Sequence, residues 1–165
     1  MASEYRHIRH EFAPIHDERS RILILGTLPS VKSRENQFYY GHPQNRFWRV
    51  LTRVCREESL PATIEEKTAF LLRNRIAVWD VIEECDIIAS SDSSIRNVVP
   101  ADIRRILKES PIERICANGG TAYRLYMKYI YPNTKREIIQ LPSTSPANAA
   151  YSVERLAEIW GREFA

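Results

Sequence analysis

The strongest constraint on how this chain folds is the way two hydrophobic periods alternate along it. Short, continuous apolar runs take turns with longer stretches whose apolar residues recur at helical spacing. Residues 22–25 stop at Gly26, residues 75–79 stop at Asp80, residues 112–117 stop at Asn118-Gly119-Gly120, and residues 136–140 run into a Pro/Ser/Asn-rich segment. Such runs suit strands covered on both faces, as in a parallel sheet. Between them lie predicted helices: one opened by Asn45 with Phe47, Val50, Leu51 and Val54 on one face, and one over 63–73 where Thr63 and Glu66 have capping-box spacing. Others are predicted over 101–109 and 121–131, and a last one runs from a Ser152 cap to about residue 164. Strands alternating with helices pair in parallel through right-handed crossovers. The predicted fold class is therefore α/β, a three-layer α/β/α sandwich around a short, mainly parallel four-stranded sheet.

The remaining segments read as a polar arm at the start, a long loop over 27–44, a Ser- and Asp-rich loop over 86–100 and a stiff loop over 141–150. With 165 residues, 44% of them hydrophobic and 27% charged, the chain suits one globular domain over 1–165. Its start, MASEYRHIRHEF, is polar, and no apolar run approaches the roughly 20 residues of a spanning helix, so neither a leader nor a membrane partner is expected. Cys55, Cys85 and Cys116 lie about thirty residues apart. That is neither a metal-ligand spacing nor an even disulfide set, so three reduced, mostly buried thiols and no metal are expected. A formal charge of +3 and a pI near 8.8 suit a nucleic-acid partner without requiring one.

In an open parallel sheet, ligands sit beyond the carboxyl ends of the strands. That rule points to Gly26 onward, to Asp80, to Asn118 and to the loop after Gln140. ILILGTLPS (22–30) puts Gly26, Leu28 and Ser30 where backbone N–H groups can face a ligand, although a plain strand-to-loop turn explains the same residues. It lacks the Gly-Lys-Ser/Thr of a phosphate loop and the spaced glycines of a dinucleotide site. FYYGHPQNRFW (38–48) packs five aromatics into eleven residues. Phe47 and Trp48 suit the core of the helix, whereas Tyr39 and Tyr40 suit either the core or stacking on an unpaired base. Asp80 can read a ligand's N–H group or cap a helix, and Asn118 can serve a site or the turn that follows it. LPSTSPANAAYS (141–152) is rich in hydroxyl and amide groups without charge, which suits contacts to phosphates or ordinary turns. Arg19, Arg21, Lys32, Arg34, Arg46, Arg49 and Arg53 concentrate positive charge in the first third of the chain, each one alone a solvated surface residue.

Taken together, GTLPS, YYGHPQNRFW, VWD, NGG and LPSTSPAN, in that order, resemble the uracil-DNA glycosylase superfamily, and within it the hypoxanthine-DNA glycosylase branch. The resemblance covers residues 22–150 and implies an enzyme that hydrolyses an N-glycosidic bond in damaged DNA without metal or cofactor. It implies an intracellular protein, cytoplasmic and nucleoid-associated in a prokaryote, and a monomer suits a fold that must embrace duplex DNA. Two positions depart from better-known branches. Leu28 stands where they carry Asp, Glu or Asn, and Leu141 where many carry His, so neither can activate water or stabilise the departing base.

The chemistry then falls to neutral amides. The expectation is that Asn45 positions water, while Asn118 and backbone N–H groups near Gly26 to Ser30 stabilise the base. Asp80 would accept from N1–H of hypoxanthine, Leu28 would line the pocket, and Tyr39 or Tyr40 would stack on the flipped base. Ser143, Thr144, Ser145 and Asn148 would support the distorted strand. The competing readings are a uracil or mismatch-specific uracil glycosylase, a non-catalytic damaged-DNA-binding module, and a hydrolase of free nucleosides.

Overall fold

The computed structural model describes residues 4–36, 38–89 and 91–164. In chain order the strands are β1 (Arg6–Arg9), β2 (Ile22–Gly26), β3 (Ile76–Asp80), β4 (Ile82–Ile87), β5 (Arg96–Pro100), β6 (Arg114–Asn118) and β7 (Ile139–Leu141). The helices are α1 (Val31–Asn36), α2 (Phe47–Val54), α3 (Ile64–Arg73), α4 (Arg104–Glu109), α5 (Gly120–Tyr129), α6 (Tyr131–Thr134) and α7 (Val153–Gly161).

The four apolar runs form one sheet in the order β3-β2-β6-β7, every pairing parallel. Leu23, Ile24 and Leu25 of the central β2 are fully buried, as are Ile76, Ala77 and Val78 of β3. Covering such side chains on both faces contributes roughly 1.5–3 kcal/mol each, which is why continuous rather than alternating apolar runs mark this sheet. At its β3 edge a two-way backbone bridge joins Ile15 and Val78. The helices complete an α/β/α sandwich. At α3, the Thr63 hydroxyl accepts from Glu66 N, and the return bond from Glu66 reaches Ala62 N rather than Thr63 N.

Four segments differ from the sequence expectation. The polar arm holds β1, and the segment read as a loop over 86–100 holds the end of β4 and all of β5. These three strands make a second, antiparallel sheet in the order β1-β4-β5. Its signal is weak because IEECDI buries only Ile82, Cys85 and Ile87, and charged residues interrupt the period. The long 27–44 loop contains α1, capped by Ser30, whose Oγ accepts from Ser33 N. The helix expected over 121–131 ends at Tyr129, and Pro132 opens α6 instead of closing α5, consistent with the ease of proline in a first turn.

The thiols are free. Burial pushes Cys116 and Cys55 up to about 12 and Cys85 up to about 11, so all three stay protonated near neutrality.

Candidate active site

The carboxyl ends of β2, β3 and β6 converge, as the topology requires, on a cavity of about 380 Å³. Gly26, Leu28, Ser30, Tyr39, Tyr40, Asn45, Asp80, Asn118, Ser143, Thr144 and Ser145 all contribute to its wall. Segments some 120 residues apart in sequence therefore meet within one small-ligand-sized space.

One wall is a chain of directed hydrogen bonds. Phe47 N–H donates to Asn45 Oδ1 at 2.9 Å, and Thr144 N–H donates to Asn118 Oδ1 at 3.0 Å. A backbone N–H can only donate, so both amide orientations are fixed. Asn118 Nδ2 must then donate to Thr144 Oγ1 (3.0 Å), and that hydroxyl in turn donates to Asn45 Oδ1 (2.8 Å). The Asn45 carbonyl oxygen thus has two donors, leaving its Nδ2 as the amide end without a partner among the described residues. Asn45 also caps α2 through the Phe47 bond, one position earlier than a strict N-cap, since the boundary residue is Arg46.

Thr144 itself is fully buried. Its side chain is taken up by the amide chain. Asn148 lies outside the cavity wall, with its Nδ2 donating to the Ser143 carbonyl at 3.0 Å. Arg46, read from sequence as a solvated cation, is the clamp of this loop. Its guanidinium donates to the carbonyls of Ser145 (2.8 Å), Asn148 (2.9 Å) and Tyr151, and its backbone N–H to that of Thr144 (3.0 Å). From the other side, Trp160 Nε1 of α7 holds the Pro142 carbonyl at 2.9 Å. The turn beneath the loop needs Gly119, whose φ is +98° and whose added Cβ would stand 3.1 Å from Ser143 Cβ.

The opposite wall is acidic and aromatic. Asp80 ends β3, and the chain passes through Val81 directly into β4, so Asp80 caps no helix. One carboxylate oxygen, Oδ2, accepts from His10 Nε2 at 2.8 Å, with the two side chains only 5% and 2% exposed. The other, Oδ1, lies across Gly26, where a Cβ would approach it to 2.5 Å and Tyr40 Oη to 2.9 Å. Tyr40, with φ +52°, stacks one ring face on Phe47 at 3.8 Å between centroids. Its hydroxyl is buried beside Asn118 with no hydrogen bond of good geometry. Tyr39 is a core residue: it is 2% exposed, meets the Phe12 ring edge-on at 4.6 Å and donates its hydroxyl to the Ala13 carbonyl. It supplies wall rather than a free stacking face. Burial raises both phenol pKa values far above their ordinary range, and the Asp80 charge adds to the effect.

Leu28 packs on the Ile82, Cys85 and Ile87 cluster, and the N–H groups of Leu28 and Ser30 donate to no described residue. His42 Nδ1 accepts from Gln44 N, which turns the ring into a brace for the loop. Of the basic residues, Arg21 pairs with Glu113 and Arg53 with Glu154. Arg19 and Arg21 precede β2 and so sit at the amino end of the sheet, away from the cavity, while the Lys32 side chain lies outside the described residues. Sequence reading missed His10, the clamping role of Arg46, and Asp92. Asp92 comes from the 86–100 segment to the cavity rim, and burial raises its carboxyl pKa against the opposing effects of Thr121 and Arg124. No local signal marks His10, which reaches Asp80 only because β1 pairs with β4. Among the described residues there is no cluster of metal-binding side chains, and no helix is long and apolar enough to cross a membrane.

A cavity of about 380 Å³ at the carboxyl edge of a four-stranded parallel sheet, walled by neutral amides and a buried carboxylate, is the arrangement of an α/β enzyme that takes a small polar ligand. Residues 13–162 match the sequence model of the Uracil DNA glycosylase superfamily, and the chain belongs to that superfamily. It is 36% identical over 154 residues to a hypoxanthine DNA glycosylase of Methanosarcina acetivorans, covering 92% of this chain and 95% of that protein. To a hypoxanthine DNA glycosylase of Methanosarcina barkeri it is 37% identical over 86 residues, covering 52% of this chain and 54% of that protein. The solution NMR structure of a candidate uracil DNA glycosylase from Methanosarcina acetivorans superposes with a TM-score of 0.78 at 36% identity, covering 93% and 94% of the two chains.

Proposed function

We infer that the protein is a monofunctional DNA glycosylase of base excision repair, which flips hypoxanthine out of DNA and hydrolyses its N-glycosidic bond to leave an abasic site. The observation that carries this reading is the meeting, in one cavity, of the Asn45–Thr144–Asn118 chain with the free oxygen of Asp80. Cleavage of the bond builds positive charge on the sugar and negative charge on the leaving base. Water that is held in place, together with donors aimed at the base, supplies much of what the transition state needs. Asn45 Nδ2 holds the water, and since its Oδ1 is occupied, it does so as a donor rather than as a base. Asn118 and the free N–H groups of Leu28 and Ser30 take up charge on the base. Asp80 Oδ1 accepts from N1–H, and a backbone N–H meets O6. Adenine inverts that pair, which leaves buried groups unmatched at roughly 1–3 kcal/mol each. Tyr40 lays its remaining face along the base, and the 143–148 loop supports the strand. Flipping costs least at a mispair, which adds to the preference for damaged sites.

The test is single-turnover incubation with end-labelled duplexes carrying deoxyinosine, deoxyuridine or no lesion, followed by alkali. Alkali-dependent cleavage at deoxyinosine is expected. Cleavage mainly at deoxyuridine would move the substrate to uracil, and tight binding without any abasic product would replace the enzyme by a binding module.

A further inference from the structure

The buried partner of Asp80 extends this reading. We propose that His10 is a positioning residue for base recognition: it holds Asp80 Oδ2, so that Oδ1 alone faces the cavity as the acceptor for a ring N–H. The proposal rests on the assignment of Asp80 to base reading given above.

The argument is one of donors and burial. A carboxylate as buried as Asp80, 5% exposed, needs a donor on at least one oxygen, and His10 Nε2 at 2.8 Å supplies it. The imidazole cannot easily turn away. It is boxed by Phe12 (4.8 Å between centroids), Tyr39 (5.9 Å) and Trp79 (6.4 Å), and its backbone N–H is held by the Glu83 carbonyl. Its Nδ1 is buried without a partner, an unmatched polar atom that only a valuable bond at Nε2 offsets. The ionisable neighbours cannot take its place. The Tyr39 hydroxyl is spent on the Ala13 carbonyl, the Tyr40 hydroxyl lies beside Gly26 on the side of Oδ1 and not Oδ2, and Glu83 adds negative charge from β4. Without His10, the carboxyl would be free to rotate, and with Oδ1 no longer held toward the cavity a base with a ring N–H would lose its advantage over one with a bare ring nitrogen.

The experiment uses full-length protein with His10→Ala, His10→Gln, Asp80→Asn and the double variant His10→Ala/Asp80→Asn. Single-turnover rates are measured on duplexes with deoxyinosine and with deoxynebularine, a purine whose N1 is bare. Gln can place an amide N–H near the position of Nε2, whereas Ala cannot. His10→Ala is expected to cut the deoxyinosine rate by roughly ten- to a hundredfold, the worth of a hydrogen bond to a charged group, and to collapse the preference over deoxynebularine. His10→Gln is expected to recover most of both, and His10→Ala to cost nothing further once Asp80 is Asn. If His10→Ala does not fold, His10→Phe fills the aromatic box without a donor and replaces it. An Asp80→Asn protein that cleaves deoxyinosine at the wild-type rate sinks the base-reading role itself. If Asp80→Asn is impaired while His10→Ala is not, or if both substrates slow equally, only the role of His10 fails.

Discussion

Asn45 and Asn118 are joined through a single hydroxyl, with Thr144 Oγ1 lying 2.8 Å from Asn45 Oδ1 and 3.0 Å from Asn118 Nδ2. The two amides therefore form one unit, oriented by the N–H groups of Phe47 and Thr144 and bridged by the Thr144 hydroxyl. Thr144→Val keeps the volume and removes the bridge, leaving buried donors and acceptors unpaired at about 1–3 kcal/mol. Its single-turnover rate on deoxyinosine DNA should fall at least tenfold, while Thr144→Ser stays close to wild type. Equal rates for Val and Ser would show that the bridge does not matter to the reaction.

Arg46 separates two jobs that a basic residue can do next to DNA. If it contacted phosphate, Lys would serve nearly as well. As a fork holding several carbonyls of the 144–151 segment, it has no lysine equivalent. Arg46→Lys should slow the reaction almost as much as Arg46→Ala, with faster amide exchange over residues 143–151 and a salt dependence of DNA binding like that of the parent.

Gly26 is needed for close approach rather than for unusual backbone angles. In Gly26→Ala the new methyl displaces Asp80 Oδ1, which stands 2.5 Å from the ideal Cβ. Activity on deoxyinosine should drop roughly tenfold or more, while the melting temperature moves by only a few degrees, since it is a side-chain end that shifts. A variant with full activity would place the Asp80 oxygen outside base recognition.

The small sheet carries its own pH response. His7 bonds Asp86 at 2.9 Å and Glu84 at 3.0 Å across the β1–β4 pairing, and those carboxylates raise its pKa, the hydrogen bond to Glu84 most. Asp86 is lowered, first by Asn97 and then by His7. A raised histidine contributes stability that is complete below its unfolded value of 6.5 and lost as pH climbs through the folded value. The lowered carboxyl contributes stability that is present above 3.8 and lost as pH falls through its folded value. Thermal melts of wild type and His7→Gln should therefore differ most in mildly acidic buffer, between these limits, and converge at alkaline pH. The gap stays modest because His7 is exposed.

The legible parts of this protein are those encoded locally. Continuous runs such as ILILG declare a doubly covered strand, Thr63 with Glu66 declares a helix start, and the carboxyl-edge rule then points to Gly26 onward, Asp80, Asn118 and the loop after Gln140. What could not be read depends on long-range pairing. β4 hides its period behind Glu83, Glu84 and Asp86, so neither the second sheet nor the delivery of His10 to Asp80 has a local mark. Arg46 carries a charge, and charge alone suggests solvent; only the fold shows it half-buried against the carbonyls it holds. Tyr39 and Tyr40 are neighbours in sequence with different fates, because the left-handed backbone at Tyr40 turns its ring away from that of Tyr39.

Asp80 stands where the parallel sheet hands the chain to the antiparallel one. The amides hang from α2, β6 and the clamped loop, whereas the carboxylate, itself on β3, takes its partner from the small sheet. On the roles proposed above, substitutions in the small sheet reach the carboxylate through His10 without touching the Asn45–Thr144–Asn118 chain, so base choice and hydrolysis can diverge along independent lines.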